Sequence, residues 1–208
     1  MVRLLLKLNP RQVKIFLNIV TVISTVLCLA FIVYGLKTDL FTSEEKLKNF
    51  LMIFGSFGPL ILISIQALQV VFPAVPLGVG LLVSVFLFGP FKGFIYNYIG
   101  VCIGSIMAFL IAKKYGIPVL ELIFPKRLLK KYSAMGKSKK FISFFALAIF
   151  FPIAPDDFLC YLAGTTEMHL KTFVPIIIFG KPLSIACYTF GLKYILMKFA
   201  PFVAAFAS

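Results

Sequence analysis

Charge is what this chain has least of: Asp, Glu, Lys and Arg together make up 13% of its 208 residues. Acids are scarcest, with 7 Asp and Glu against 21 Lys and Arg, for a formal charge of +14. So little charge, with 61% hydrophobic residues and a mean hydropathy of +1.05, excludes a soluble domain of this size and points to an integral membrane protein. Period-two alternation is also missing, and the apolar runs far exceed a barrel strand of about ten residues, so the spans are helices. The four cysteines, Cys28, Cys102, Cys160 and Cys187, sit in separate apolar segments without CxxC spacing. They fit small buried hydrophobes better than zinc ligands or a disulfide frame. No Ser/His/Asp arrangement, Gly-rich nucleotide loop or metal-ligand cluster is present, so no catalytic residue, metal or cofactor is expected. The basic excess forms no aromatic-basic platform apart from the spans, which argues against nucleic acid as a partner.

What is there follows the positive-inside rule. Arg3, Lys7, Arg11 and Lys14 lie among leucines in a short amphipathic stretch, which places the N-terminus in the cytoplasm. Residues 15–36 are charge-free and long enough to cross the hydrocarbon core, and no cleavable signal pattern is evident. The outer loop that follows ends in Ser43, Glu44 and Glu45, a pattern that starts a helix.

Residues 50–88 carry no charge, too long a stretch for one span and too short for two with an aqueous turn. In its middle stand Pro73 and Pro76, which predict a hairpin that enters from outside, breaks and returns. Gly89, Pro90, Lys92 and Gly93 mark a turn, and residues 94–112 predict a full crossing that ends at Lys113 and Lys114. Gly100, Gly104, Ser105 and Ala108 give that crossing a small-residue face, suited to packing within one chain or between two copies in a homo-oligomer. In residues 115–140, Lys126, Arg127, Lys130, Lys131, Lys137, Lys139 and Lys140 alternate with Leu128, Leu129 and Tyr132. They predict a basic amphipathic helix on the inner leaflet, read either as a solvated face or as a lipid head-group contact.

A second proline-broken hairpin, residues 141–168, is broken at Pro152 and Pro155, and a last crossing covers residues 172–197. Setting Pro73 over Pro152 brings Gly100 and Gly180 into near register, so both halves read as broken hairpin, turn and crossing helix. One crossing separates them, which relates the halves by an axis in the membrane plane, a pattern found in transporters. The expected architecture is an all-α integral membrane protein with an inverted repeat of re-entrant helical hairpin plus transmembrane helix. An N-terminal transmembrane helix and a basic surface helix complete it. As a single membrane domain it divides into 1–49, repeat 1 over 50–114, the basic segment 115–140, and repeat 2 over 141–199.

Carboxylates at membrane depth are costly and mark functional sites, which singles out Asp156 and Asp157 behind the second break. They fit proton carriers, partners of a cation, or caps of the returning helix. Lys181, between Gly180 and Pro182 inside the last crossing, suits an anionic head group or an aspartate partner, with snorkelling as the competing reading. Gln66 and Gln69 precede the first break and either face the aspartates or pack as a polar pair.

Phe88-Gly89, Gly93, Gly100, Gly104-Ser105, Ala108-Phe109 and residues 112–116 resemble one signature of the DedA superfamily, in particular its VTT, or SNARE-associated Golgi protein, branch and that branch's bacterial members. Pro152, Pro155-Asp156, Tyr161, Ala163-Gly164, Phe173 and Gly180-Lys181-Pro182 resemble its second signature, and the likeness covers about residues 50–185. The resemblance implies a flippase or scramblase of a phosphate-bearing lipid, such as undecaprenyl phosphate or a phospholipid, in a bacterial cytoplasmic membrane. A proton- or ion-coupled transporter of a small solute is the alternative. Two positions depart from the pattern: Ile149 stands where an arginine is common, and the first hairpin has Gln66 and Gln69 where an acid is common.

Overall fold

The computed structural model describes residues 57–72, 79–136, 138, 140–151 and 154–207, together with isolated positions between 15 and 38. The basic N-terminal stretch, the outer loop, Cys28, Lys137, Lys139, and the breaks at Pro73, Pro76 and Pro152 lie outside the described residues. Of the first predicted span, Ile15, Ile19, Val22, Ile23, Val26 and Tyr34 are helical and exposed. Among the described residues every regular element is a helix.

Seven helices follow in order: α1 (Gly58–Val71), α2 (Val79–Tyr115), α3 (Ile117–Ile123), α4 (Lys126–Gly136), α5 (Phe141–Phe150), α6 (Asp156–Gly164) and α7 (Leu170–Ala207). Pro59 lies in the first turn of α1 and Pro118 in that of α3, where a missing N–H leaves no bond unmade. The stretches Leu87–Tyr115 and Leu170–Tyr188 are long and apolar enough to cross a membrane, whereas α1 and α5 are too short. Ile99, Ile103, Met107 and Leu110 form an exposed apolar stripe on α2, and Ile178, Phe179 and Leu183 are exposed on α7. Large hydrophobes left uncovered along both long helices suit lipid, not water.

The turn expected over Gly89 to Gly93 is smaller than its residues suggest. Only Gly89 leaves helical geometry, at φ 79° and ψ 168°, and α2 resumes directly through Pro90. That φ is open to glycine, and proline suits the start of the renewed helix, so one residue bends what the sequence reads as a loop. Residues 115–140 likewise hold more than a basic helix. Before it comes α3, with Val119, Leu120 and Leu122 buried.

Glycine sets the closest approach in this bundle. A Cβ on Gly100 would stand 2.6 Å from the Gln66 Cβ, and one on Gly104 2.6 Å from the Ala67 carbonyl oxygen. The small-residue face of α2 is therefore occupied by α1 of the same chain. Further along α2, Ala108 and Ala112 are fully buried and Gly164 of α6 rests on the Phe109 and Ala112 turn. Phe173 of α7 stacks on Phe109 at 4.3 Å and on Phe145 of α5 at 5.5 Å, while Phe124 meets Phe158 and Tyr161 of α6 edge-on. Helix α6 is thus packed against α2, α3, α4 and α5.

Candidate functional site

The chain leaves α5 at Phe151 and re-enters a helix at Asp156, with Pro155 as the residue before the first turn. Proline contributes no side-chain hydrogen bond to the amides at that end of α6. Asp156 and Asp157 occupy the first turn itself, where carboxylates meet the positive end of the helix dipole. Asp156 Oδ1 accepts from the Asp157 N–H at 3.0 Å.

Lys181 reaches this turn from α7. Its side chain is 0% exposed, and Nζ donates to Asp156 Oδ2 at 2.9 Å while standing 3.9 Å from Asp157 Oδ1. An ammonium buried without a counter-charge is too costly to keep, so this pairing explains why Lys181 stays inside instead of snorkelling. The carboxylates remain partly open, with 24% of the Asp156 side chain and 13% of that of Asp157 exposed. Two acids therefore share one buried cation where the chain passes between α5 and α6, and both keep some exposure.

Packing holds this arrangement in place. A Cβ on Gly180 would lie 2.9 Å from Ile149 Cγ2, so bare backbone next to Lys181 lets the end of α5 close on α7. Ile149, where the resemblance leads one to expect arginine, is fully buried in that contact. One turn along α6 from Asp156, Cys160 is also fully buried. Ser184 Oγ donates to the Lys181 carbonyl at 3.1 Å.

Gln66 belongs to a different cluster. Its Nε2 donates to Asn97 Oδ1 at 2.7 Å, and Asn97 Nδ2 donates to Ser84 Oγ, with all three side chains buried. Gln66 is thus paired with Asn97 of α2, while Gln69 is half-buried on α1. Both long helices thus carry buried polar groups, uncharged on α2 at Asn97 and charged on α7 at Lys181. Lys113, in the last turn of α2, donates to the carbonyls of Thr166 at 2.7 Å and Met168 at 3.0 Å, clasping the turn between α6 and α7. His169 is exposed beside that turn.

Sequence reasoning missed Asn97, Ser84 and the anchoring tyrosines. Tyr161, fully buried, donates to the Val71 carbonyl at 2.6 Å, and Tyr98 to the Ile178 carbonyl at 2.8 Å. Asn97 gave one signal, as an amide inside an apolar crossing. Tyr161 stood out only as part of the second signature and Tyr98 not at all, because only the tertiary approach reveals which carbonyls lack a donor. Among the described residues, no three His, Cys, Asp or Glu side chains gather as a metal site.

Residues 75–194 match the VTT domain. That span includes Asn97, Asp156, Asp157, Tyr161 and Lys181 and excludes Gln66 and Gln69. An uncharacterized membrane protein of Bacillus subtilis (strain 168), YhjE, is 27% identical over 151 residues, covering 72% of each chain. No solved structure matches the chain significantly.

Proposed function

Since the chain belongs to the VTT domain family, within the DedA superfamily of membrane proteins, we propose that it is a lipid transporter of the flippase or scramblase type. Its substrate is a phosphate-bearing lipid, such as undecaprenyl phosphate or a phospholipid, whose tails stay in the bilayer while the head group crosses. The observation that carries this reading is the buried Lys181 ammonium, held by two partly exposed carboxylates where the chain breaks between α5 and α6. A cation at that place suits an incoming phosphate, and the aspartates hold its charge while the site is empty.

In this reading α1 with the start of α2, and α5 with α6, are re-entrant hairpins of an inverted repeat that enter from opposite faces. The glycines support it. Gly100 receives α1 and Gly180 receives the end of α5, so in each half the crossing helix carries a bare position against the first arm of its own hairpin. The basic residues from Lys113 to Lys140 belong to the cytoplasmic side of a bacterial inner membrane, which fits a cytoplasmic N-terminus.

One observation favours a second reading, the proton- or ion-coupled transport of a small solute. Two acids facing one lysine leave a negative charge that a proton or small cation would neutralise.

Reconstitution into liposomes with a head-group accessibility assay separates the two. The lipid reading expects transfer of polyprenyl phosphate or phospholipid, reduced towards background by Asp156→Asn or Lys181→Met. Gradient-driven solute uptake without lipid transfer would reject it in favour of the second. If Asp156→Asn and Asp157→Asn each left transport and its pH dependence unchanged, the aspartates would be structural.

A further inference from the structure

Helix α4 has two unlike faces, and only the inner one is explained by the fold. Tyr132 packs on Phe144 of α5 and Phe158 of α6, Leu128 and Leu129 add to the same core, and Gly136 lies 3.4 Å, measured from its ideal Cβ, from Leu162 of α6. Lys126, Arg127, Lys130 and Lys131 are all exposed on the other face. The helix contains no acid, and among the described residues none of the four cations meets a carboxylate. Lys126 and Arg127 fall in the first turn, the end of a helix where a positive charge is disfavoured. Helix stability therefore argues against this placement, and an anion outside the helix would reverse the sign of the effect.

The surroundings say which anion. Just beyond α4, the helix α5 exposes Ile142, Leu147 and Phe150, which are surfaces for hydrocarbon. A basic face that borders a lipid-facing apolar face sits at the level of the head groups. We propose that α4 is a docking surface for anionic phospholipid head groups of the leaflet it borders. The surface is distinct from the Lys181 site and joined to it through α6, whose Phe158 and Leu162 pack on α4 and whose first turn carries Asp156 and Asp157. On the transport reading it gathers anionic lipid beside the second break, but its test requires no transport.

The chain has no tryptophan, so one introduced indole reports alone. Tyr132→Trp places it on α4, and Ile103→Trp places a control on the exposed stripe of α2. Each protein is reconstituted in phosphatidylcholine vesicles containing brominated phosphatidylglycerol or brominated phosphatidylcholine as quencher. For Tyr132→Trp the brominated anionic lipid should quench as if enriched at least about five-fold, the attraction expected of about one basic residue at the surface. For Ile103→Trp the two lipids should quench alike. The combined variant K126Q, R127Q, K130Q and K131Q should abolish the preference while leaving the Ile103→Trp signal unchanged. Equal quenching by both lipids at Tyr132→Trp overturns the proposal, as does a preference that survives removal of the four charges. If that variant does not fold, a salt titration of the parent decides, since a preference undiminished at high salt is not electrostatic. A soluble polyphosphate that protects Tyr132→Trp while the two lipids quench alike would assign the face to a soluble anion and also overturn it.

Discussion

The Tyr98 hydroxyl donates to the carbonyl of Ile178, and the residue four places beyond Ile178 is Pro182. In a helix that carbonyl would accept from residue 182, but proline has no N–H to give. Tyr98, on α2, supplies the missing donor to α7 one turn before Lys181. The two long helices are thereby joined at the level of the ion pair, at a point where one of them has lost an internal bond.

The relationship predicts a rescue. Tyr98→Phe should destabilise the protein by about 1 kcal/mol, the net value of one such bond. Pro182→Ala returns an N–H to the Ile178 carbonyl, so in that background Tyr98→Phe should have a much smaller effect. A double-mutant cycle of thermal unfolding in detergent measures the coupling. Equal effects of Tyr98→Phe in both backgrounds would mean that the carbonyl is not what the hydroxyl serves.

Tyr161 makes the reciprocal link, from α6 to the last residue of α1. The Val71 carbonyl lies in the final turn of its helix, where no intrahelical donor follows. Tyr161 is fully buried and Tyr98 only partly, so Tyr161→Phe strands its acceptor away from water. It should lower stability by roughly 1–3 kcal/mol, more than Tyr98→Phe does. The same unfolding measurement decides, and an effect no larger than that of Tyr98→Phe contradicts the reasoning.

Lys181 tests the charge arrangement. Lys181→Met removes the cation and leaves Asp156 and Asp157 facing each other at the first turn of α6. The loss should reach roughly 3 kcal/mol, the low end for breaking a buried pair, because both carboxylates keep some exposure. Adding Asp156→Asn to Lys181→Met should recover part of that loss by removing one stranded charge. If the double variant is less stable than Lys181→Met, Asp156 is held by something other than the lysine.

Much of this was legible in the letters, for local reasons. Charge-free runs bounded by lysines give spans, and the acids after Pro155 and the lysine after Gly180 stand out because hydrocarbon tolerates neither type. What stayed hidden depended on approach. Ile149 and Gly180 are both ordinary apolar positions until the end of α5 is laid on α7. Asn97 is a single polar letter, and its partners Gln66 and Ser84 come from segments brought together only by the bare backbone at Gly100 and Gly93. Helix α3 was masked by the lysines that follow it, since its seven residues, Ile117–Ile123, are too few to show a period of their own. Gly89 misled in the other direction, because a glycine beside a proline reads as a loop when one positive φ is enough to turn the chain.

Two glycines in long helices separate packing from propensity. Replacing glycine by alanine within a helix should add roughly 0.5–1 kcal/mol if nothing else changes, because the unfolded chain loses freedom. Gly191, exposed on α7, has nothing within 4 Å of its ideal Cβ, so Gly191→Ala should leave stability unchanged or raise it. Gly104 has the same local helical backbone but faces α1, with the Ala67 carbonyl oxygen at 2.6 Å and Val70 Cβ at 2.8 Å from the same position. Those neighbours are a backbone atom and a branched carbon close to the backbone, neither able to swing away, so Gly104→Ala must push α1 off α2 and should cost about 1–3 kcal/mol or more. The displacement also stretches the Gln66 to Asn97 bond one turn away, so a loss at Gly104 should be smaller in a Gln66→Leu background, where that bond is already gone. Thermal unfolding of the four variants reads all of this. Similar tolerance at both glycines would show that α1 does not rest on the α2 face, and the close first-half packing described above would fail with it.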